Sequence, residues 1–213
     1  MTLRLNELFS LIPVCKTFAD VGCDHGYVSY EMLKQNKAER VYFSDISEKC
    51  LSKAEKLLYP FIIKGVAKGY VSNGFEKLPK VDCALVAGMG GEEIISILSN
   101  AVTLPETLVL QPMKNAEKVR VCLIEKGYKI LKDYTFFADK KYYDVILCEK
   151  GEDFLTEDER LFGRTNILLK PVAFLEKWQE KKREIFGFLQ KENLSQESRK
   201  ELLSELERID KIC

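Results

Sequence analysis

Apolar positions along the first two thirds of the chain switch repeatedly between two spacings. Short runs rich in β-branched and aromatic residues recur at 17–20 (TFAD), 40–45 (RVYFSD), 66–72, 81–88 (VDCALVAG) and 107–111 (TLVLQ), and each reads as a strand. Helical spacing lies between them. Leu3 to Ile12 places apolar residues at 3, 5, 8, 9, 11 and 12 before Pro13, a second helix begins near Tyr27, and Ser47 caps a third that runs to Leu58. EEIISILSN follows the fourth strand, and Ala116 to Lys126 is closed by Gly127. Tyr128–Ala138 and Lys141–Glu149 then alternate like two antiparallel strands around a basic tip, Asp139-Lys140-Lys141. Alternating strand and helix ending in a hairpin predicts an α/β fold: a Rossmann-like, mostly parallel sheet with an antiparallel C-terminal edge. VDCALVAG, the most apolar strand, is expected at its centre. Past Gly151 the strand pattern stops. Pro171–Lys191 and Ser195–Ile212 read as two helices broken near Asn193, with Phe174, Leu175 and Trp178 and then Leu202, Leu206 and Ile209 at helical spacing. Two regions are expected: 1–152, carrying the sheet, and 153–213, a helical hairpin or short coiled coil.

The candidate chemistry sits where strands end. TFADVGCDHGYVSY runs from a strand stopping at Asp20, through a turn with Gly22 and Gly26, into a helix. Such a turn brings backbone N–H groups close to a ligand at a helix N-terminus. Asp24 stands at its middle, where a carboxylate would repel a pyrophosphate. A cationic ligand fits better there than a dinucleotide. Asp45 ends the second strand 25 residues beyond Asp20, placed to accept both hydroxyls of a ribose, to cap the helical run beginning at Ser47, or to do both. Asn73-Gly74 ends the third strand, where the amide suits an adenine edge and the dipeptide equally suits a plain turn. Gly88-Met89-Gly90-Gly91 leaves the fourth strand, so something approaches that backbone closely: a ligand at the sheet's switch point, or another part of the turn. Arg4, on the first helix, reads first as a surface charge, with a turn toward the ligand loop as the alternative.

Composition narrows the partners. The 213 residues carry 33 Lys+Arg against 33 Asp+Glu, a net charge of zero, so a nucleic acid would have to be held by a local basic patch. The basic run on the penultimate helix (Lys177, Lys181, Lys182, Arg183) is either such a patch or a solvated face balanced by Glu176, Glu180 and Glu184. Seven cysteines without a CxxC pair read as reduced core residues of a cytoplasmic protein. His25 is the only histidine, which argues against a histidine-based triad or zinc site. No apolar run approaches the ~20 residues of a membrane span, and Arg4, Asn6 and Glu7 interrupt any signal-peptide pattern at the start.

With these motifs in order, the chain resembles the bacterial tRNA adenine-N1 methyltransferases that modify adenosine 22, the TrmK family. The resemblance is carried by DVGCDHGYVSYEML, NGFEKL, AGMGGEEII, LVLQPMKNAEKVR, DKKYYDVI and FGRTNI…FLEKWQ. Ser29 stands where family members often have proline, and Asp45 where glutamate is frequent. The resemblance implies a class I methyltransferase sheet and S-adenosylmethionine as cofactor, bound by Asp20, Gly22, Asp24, His25, Gly26, Asp45, Ile46, Asn73, Gly74, Gly88, Met89 and Gly90. It also implies tRNA as substrate, with the C-terminal helices helping to hold it, and neither a metal nor a membrane partner. The protein is expected as a monomer or weak dimer. Methyl transfer to adenine N1 needs no prior deprotonation, so orientation dominates. Asp24 and the Gly88 carbonyl are the candidates to stabilise charge developing at N1, and Tyr27, Met89 or Tyr143 to stack the base. Lys114, Arg120, Lys140, Lys141, Arg164 and Lys181 are the candidate phosphate contacts by position. The competing readings are a methyltransferase acting on ribosomal RNA or a small molecule, and a non-catalytic interaction module that keeps the fold.

Overall fold

In the computed structural model, which describes residues 1–190 and 194–213, one seven-stranded sheet runs in the order β3-β2-β1-β4-β5-β7-β6. The strands are β1 (Cys15–Val21), β2 (Ala38–Asp45), β3 (Ala67–Val71), β4 (Cys83–Met89), β5 (Thr107–Pro112), β6 (Tyr128–Ala138) and β7 (Lys141–Lys150). β1 to β5 pair in parallel, whereas β7 pairs antiparallel with both β5 and β6. β4 is the middle strand, as its apolar run predicts. Alternate residues of the central strands feed two cores. Ala19, Val21, Ala84, Val86, Leu108 and Leu110 face one side with α4 (Gly91–Asn100) and α5 (Ala116–Glu125). Phe18, Cys83, Leu85 and Val109 face the other with α1 (Leu3–Leu11), α2 (Tyr27–Lys34) and α3 (Glu48–Ile63). Burial on both faces is why these strands read as nearly continuous apolar runs. α3 outlasts its expected end at Leu58 because Phe61 and Ile62 still pack on the core, while Pro60 faces outward.

The C-terminal region holds two short helices that the apolar pattern missed, α6 (Glu157–Phe162) and α7 (Arg164–Leu169), before the long α8 (Val172–Leu189) and α9 (Gln196–Ile212). A capping box on Thr156 and Glu159 starts α6. The expected break near Asn193 lies outside the described residues. Phe162, Phe174, Ile185, Leu206 and Ile209 form the core of the hairpin. Arg208–Glu157 and Lys211–Asp158 bring the end of α9 back to α6.

This helical region is keyed into the sheet by buried polar contacts. Arg120 of α5, 1% exposed, donates from Nε to Asp133 of β6 at 2.9 Å and from Nη1 to the carbonyls of Arg160 and Leu161. The backbone N–H groups of Arg164 and Thr165 donate to the same Asp133 carboxylate. Gly163 makes room: a Cβ there would lie 2.8 Å from Arg120 Nη2 and 2.9 Å from Asp133 Oδ2. Asn166 bridges the Thr135 backbone and the Phe162 carbonyl, and Lys177 pairs with Asp144 of β7 at 2.5 Å. FGRTNI is therefore a docking segment for the helical hairpin.

Candidate active site

The carboxyl ends of β1 to β4 open onto one cavity of about 390 Å³. Its lining includes Asp20, Gly22, Asp24, His25, Asp45, Ile46, Asn73, Gly74, Gly88 and Met89, which are the expected cofactor residues except Gly26 and Gly90. Gly26, buried at φ 71°, has another role: a Cβ there would lie 2.9 Å from the Ala54 methyl, so it lets α2 pack on α3. Gly90 is the N-cap of α4 and does not line the cavity.

Each acid in the lining is held differently. Asp20 is 5% exposed, accepts a hydrogen bond from the Ser29 hydroxyl at 2.8 Å, and is pushed up to about 6 by burial. Asp45 accepts from the Asp24 backbone N–H at 3.2 Å through Oδ2 and from that of Ser47 at 2.8 Å through Oδ1. Ser47, not Asp45, caps α3, which leaves the Asp45 carboxylate to the cavity rim. Asp24 sits at φ 46°, its side chain largely exposed between His25, 3.7 Å away, and Lys53, 4.0 Å away. The His25 ring stacks on Tyr27 at 5.5 Å. The Asn73 side chain donates to Glu76 at 3.1 Å, so its amide turns back along its own loop.

The floor is cut from backbone. The β4–β5 ladder shifts register between Ala87 and Met89, leaving Gly88 as an exposed bulge at φ 82°. The Met89 methyl lies only 2.0 Å from where a Gly22 Cβ would stand, so the thioether lies directly over the first loop. The Gly91 N–H donates to the Lys114 carbonyl and the Met113 N–H to the Met89 carbonyl, which ties the loops after β4 and β5 together.

Of the two readings open for Arg4, the turn toward the ligand loop holds: it lines the cavity, donating from Nη1 to Gln111 Oε1 at 2.6 Å, a partner the sequence did not assign. Gln111 is fully buried, its amide nitrogen directed at the Pro112 carbonyl and the Met113 sulfur. The available signal was a polar residue closing the apolar run TLVLQ.

The expected phosphate contacts separate. Lys114, Lys140 and Lys141 are exposed, the last two at the β6–β7 tip. Arg120 is withdrawn, because its guanidinium is consumed by Asp133 in the interior. Arg164 is withdrawn too, since Asp153 at 3.0 Å, Glu159 at 2.8 Å and the Phe154 carbonyl hold it. Lys181 reaches Glu205 across the hairpin at 3.8 Å. A second cleft of about 370 Å³ lies between the β5–α5 loop and α8. It sets Lys114, Lys177 and Lys181 against Glu117, Asp144, Glu180 and Glu184, an acid excess that disfavours a phosphate chain inside it. Among the described residues there is no cluster suited to a metal ion and no helix long and apolar enough to cross a membrane.

Residues 1–146 match the family model described as a methyltransferase domain. A Mycoplasma pneumoniae protein, named provisionally as a tRNA methyltransferase, is 30% identical over 162 residues, covering 70% of this chain and 71% of its own. The tRNA (adenine(22)-N(1))-methyltransferase of Bacillus subtilis is 27% identical over 188 residues, or 83% of this chain and 79% of its own. Among solved structures, M. capricolum TrmK in complex with S-adenosyl-homocysteine matches 99% of this chain and 96% of its own with a TM-score of 0.91 at 24% identity. That likeness extends the shared fold through the helical hairpin.

Proposed function

The chain belongs to the methyltransferase-domain family, among its TrmK-type tRNA methyltransferases, and from that premise we propose that its cavity binds S-adenosylmethionine and directs a methyl group to N1 of adenosine 22 in tRNA, in the cytoplasm. The observation that carries this reading is the charge pattern of the cavity. Asp20, Asp24, Asp45 and Glu93 line it together with one arginine. A ligand with a ribose diol, an ammonium, a sulfonium and a carboxylate fits that set, whereas a phosphorylated one would meet repulsion. The cofactor supplies an electrophilic methyl carbon on a good leaving group. What the chain supplies is placement. Asp45, oriented by the Asp24 and Ser47 N–H groups, receives the ribose hydroxyls, and Ile46 and Asn73 flank the adenine. Asp20 faces the ammonium end. Adenine N1 carries its own lone pair, so the protein provides no base; Asp24 and the bulged Gly88 are assigned to the positive charge that N1 gains. An aligned pair of reactants is worth up to about 7–11 kcal/mol of the barrier, enough to make alignment the main contribution.

For the RNA, the exposed lysines 114, 140 and 141 support a path over the β6–β7 tip and the β5–α5 loop, outside the acidic second cleft. The test is methyl transfer from labelled S-adenosylmethionine to unmodified tRNA, with nucleoside analysis, for wild type and Asp45→Ala. The expected result is 1-methyladenosine at position 22 with wild type and its loss in a folded Asp45→Ala. Label in another nucleoside, or in a small molecule alone, would replace this reading.

A further inference from the structure

The second cleft adjoins the cofactor cavity, yet the two share no lining residue among those described. A backbone hydrogen bond of 2.8 Å, from the Met113 N–H to the Met89 carbonyl, links a residue of one to a residue of the other. Pro112, Met113, Leu161 and the indole of Trp178 give the cleft its apolar wall. Trp178 packs on Phe162 at 4.7 Å and is half-buried, its indole N–H without an acceptor among the described residues. The polar groups divide into engaged and free. Lys177 is held by Asp144 at 2.5 Å, Lys181 reaches Glu205 at 3.8 Å, and the Tyr142 hydroxyl donates to Glu176 at 3.3 Å. The side chains of Lys114, Glu117 and Glu184 enter no hydrogen bond or ion pair among the described residues. Lys114 is exposed and leans toward the cofactor loops, its Cε 3.4 Å from where a Gly90 Cβ would stand. An occupant of this cleft therefore needs an apolar face for the indole, N–H donors at its edge for the free carboxylates, and no negative charge of its own.

We propose that this cleft receives an unpaired, amino-bearing nucleobase of the RNA substrate, a second base beside the one that is methylated. This rests on the proposed function and deepens it. At about 370 Å³ the cleft has room for one nucleoside. The base turns inward from the path over Lys114, Lys140 and Lys141, so its phosphate stays outside with the lysines. Unstacked bases of RNA are held by aromatic side chains on their faces and by hydrogen bonds on their edges. Trp178 supplies the first, and the Glu117 and Glu184 carboxylates supply the second by accepting from an exocyclic amino group. Uracil presents a carbonyl oxygen where cytosine presents that amino group, so the cleft reads one against the other. Gripping this second base holds the RNA in register while the target adenosine is out of its stack.

Trp178 is the chain's only tryptophan, so its fluorescence reads the cleft in the full-length protein without any variant. The probes are oligocytidylate and oligouridylate of equal length, which carry the same charge and differ at the base edge. Oligocytidylate is expected to quench Trp178 at roughly 10-fold lower concentration than oligouridylate. With Glu117→Gln and Glu184→Gln combined, that preference falls toward unity. Trp178→Leu should raise the KM for tRNA roughly 10- to 100-fold with S-adenosylmethionine affinity unchanged, and Trp178→Phe should recover part of the loss. Unmodified tRNA should quench as well, and should still do so when guanosine replaces adenosine 22. Equal quenching by the two oligomers overturns the inference, as does a preference that survives the glutamate substitutions. Quenching by tRNA that vanishes with the guanosine replacement overturns it too, because the cleft would then hold the target base itself. If neither oligomers nor tRNA quench while methyl transfer to tRNA proceeds, the proposed function stands and this inference falls. A protein that neither binds nor methylates tRNA would sink both.

Discussion

Asp20 of β1 and Asp133 of β6 are both removed from solvent, at 5% and 0% exposure, yet their surroundings differ in kind. Asp133 accepts from the Arg120 guanidinium and from the Arg164 and Thr165 backbone, and its own N–H donates to Thr165 Oγ1. Asp20 has only the hydroxyl and backbone N–H of Ser29, no cation, and an open cavity. A saturated buried carboxylate clamps two parts of a fold together. One short of partners has its remaining interactions reserved for something that arrives later. The difference shows in titration, since burial pushes Asp20 up to about 6, and a shift of that size corresponds to roughly 3 kcal/mol against the ionised form. Between the ordinary carboxylate range and about 6, native Asp20 holds a proton that the unfolded chain has released. Its contribution to stability is therefore full at low pH and is lost as pH rises through about 6.

Substitution should drive the two sites in opposite directions. The largest effect is expected for Asp133→Asn, which strands the buried Arg120 charge and should cost about 3–5 kcal/mol in urea unfolding. A cost below about 1 kcal/mol would remove the distinction between the sites. Asp20→Asn should do the reverse to the ligand-free protein. At pH 7 it should unfold at equal or higher urea, with a flatter pH dependence between 4 and 6, while cofactor affinity falls roughly 10- to 100-fold. A destabilised Asp20→Asn that binds normally would make Asp20 another structural acid. Ser29→Ala is the finest probe. Removing the one hydroxyl on Asp20 should raise its titration midpoint further by less than a unit, about 1 kcal/mol, read by carboxyl NMR. The acidic limb of the methyl-transfer pH profile should move up with it.

The strands, the central place of the fourth, the glycine turns and ten of the cavity-lining residues were legible because they are local: a strand end, its turn and the next helix start lie within a few residues of one another. The partners of Arg4 and Arg120 were not. Arg4 meets Gln111 across 107 positions, and no spacing rule links a first helix to a fifth strand. Arg120 reads as one more charge on an amphipathic helix. Its partner was hidden by a bulge, because the β6–β7 register shifts between Ile130 and Lys132, turning Asp133 and Thr135 inward where plain alternation from Tyr128 would have buried Lys132. The short helices α6 and α7 carry too few turns for a period to emerge, although the Thr156–Glu159 capping box marked where the first begins. Gly26 shows the opposite error. It sits in a ligand motif but serves helix packing, and a motif does not say which of its glycines clears space for a ligand and which for a neighbouring helix.

The position of β7 bears on how the chain leaves the ribosome. β7 is the last strand to be made, yet it lies between β5 and β6 and pairs with both. Until residues 141–150 emerge, β5, whose Leu108 to Pro112 are buried in the finished fold, keeps one bare apolar edge, and β6 has no partner strand. The partly synthesised protein thus passes through an interval in which its sheet can recruit a foreign strand. Nascent chains stalled between residues 113 and 140 are the lengths a chaperone should hold longest, and the arrival of β7 is the event that ends that exposure.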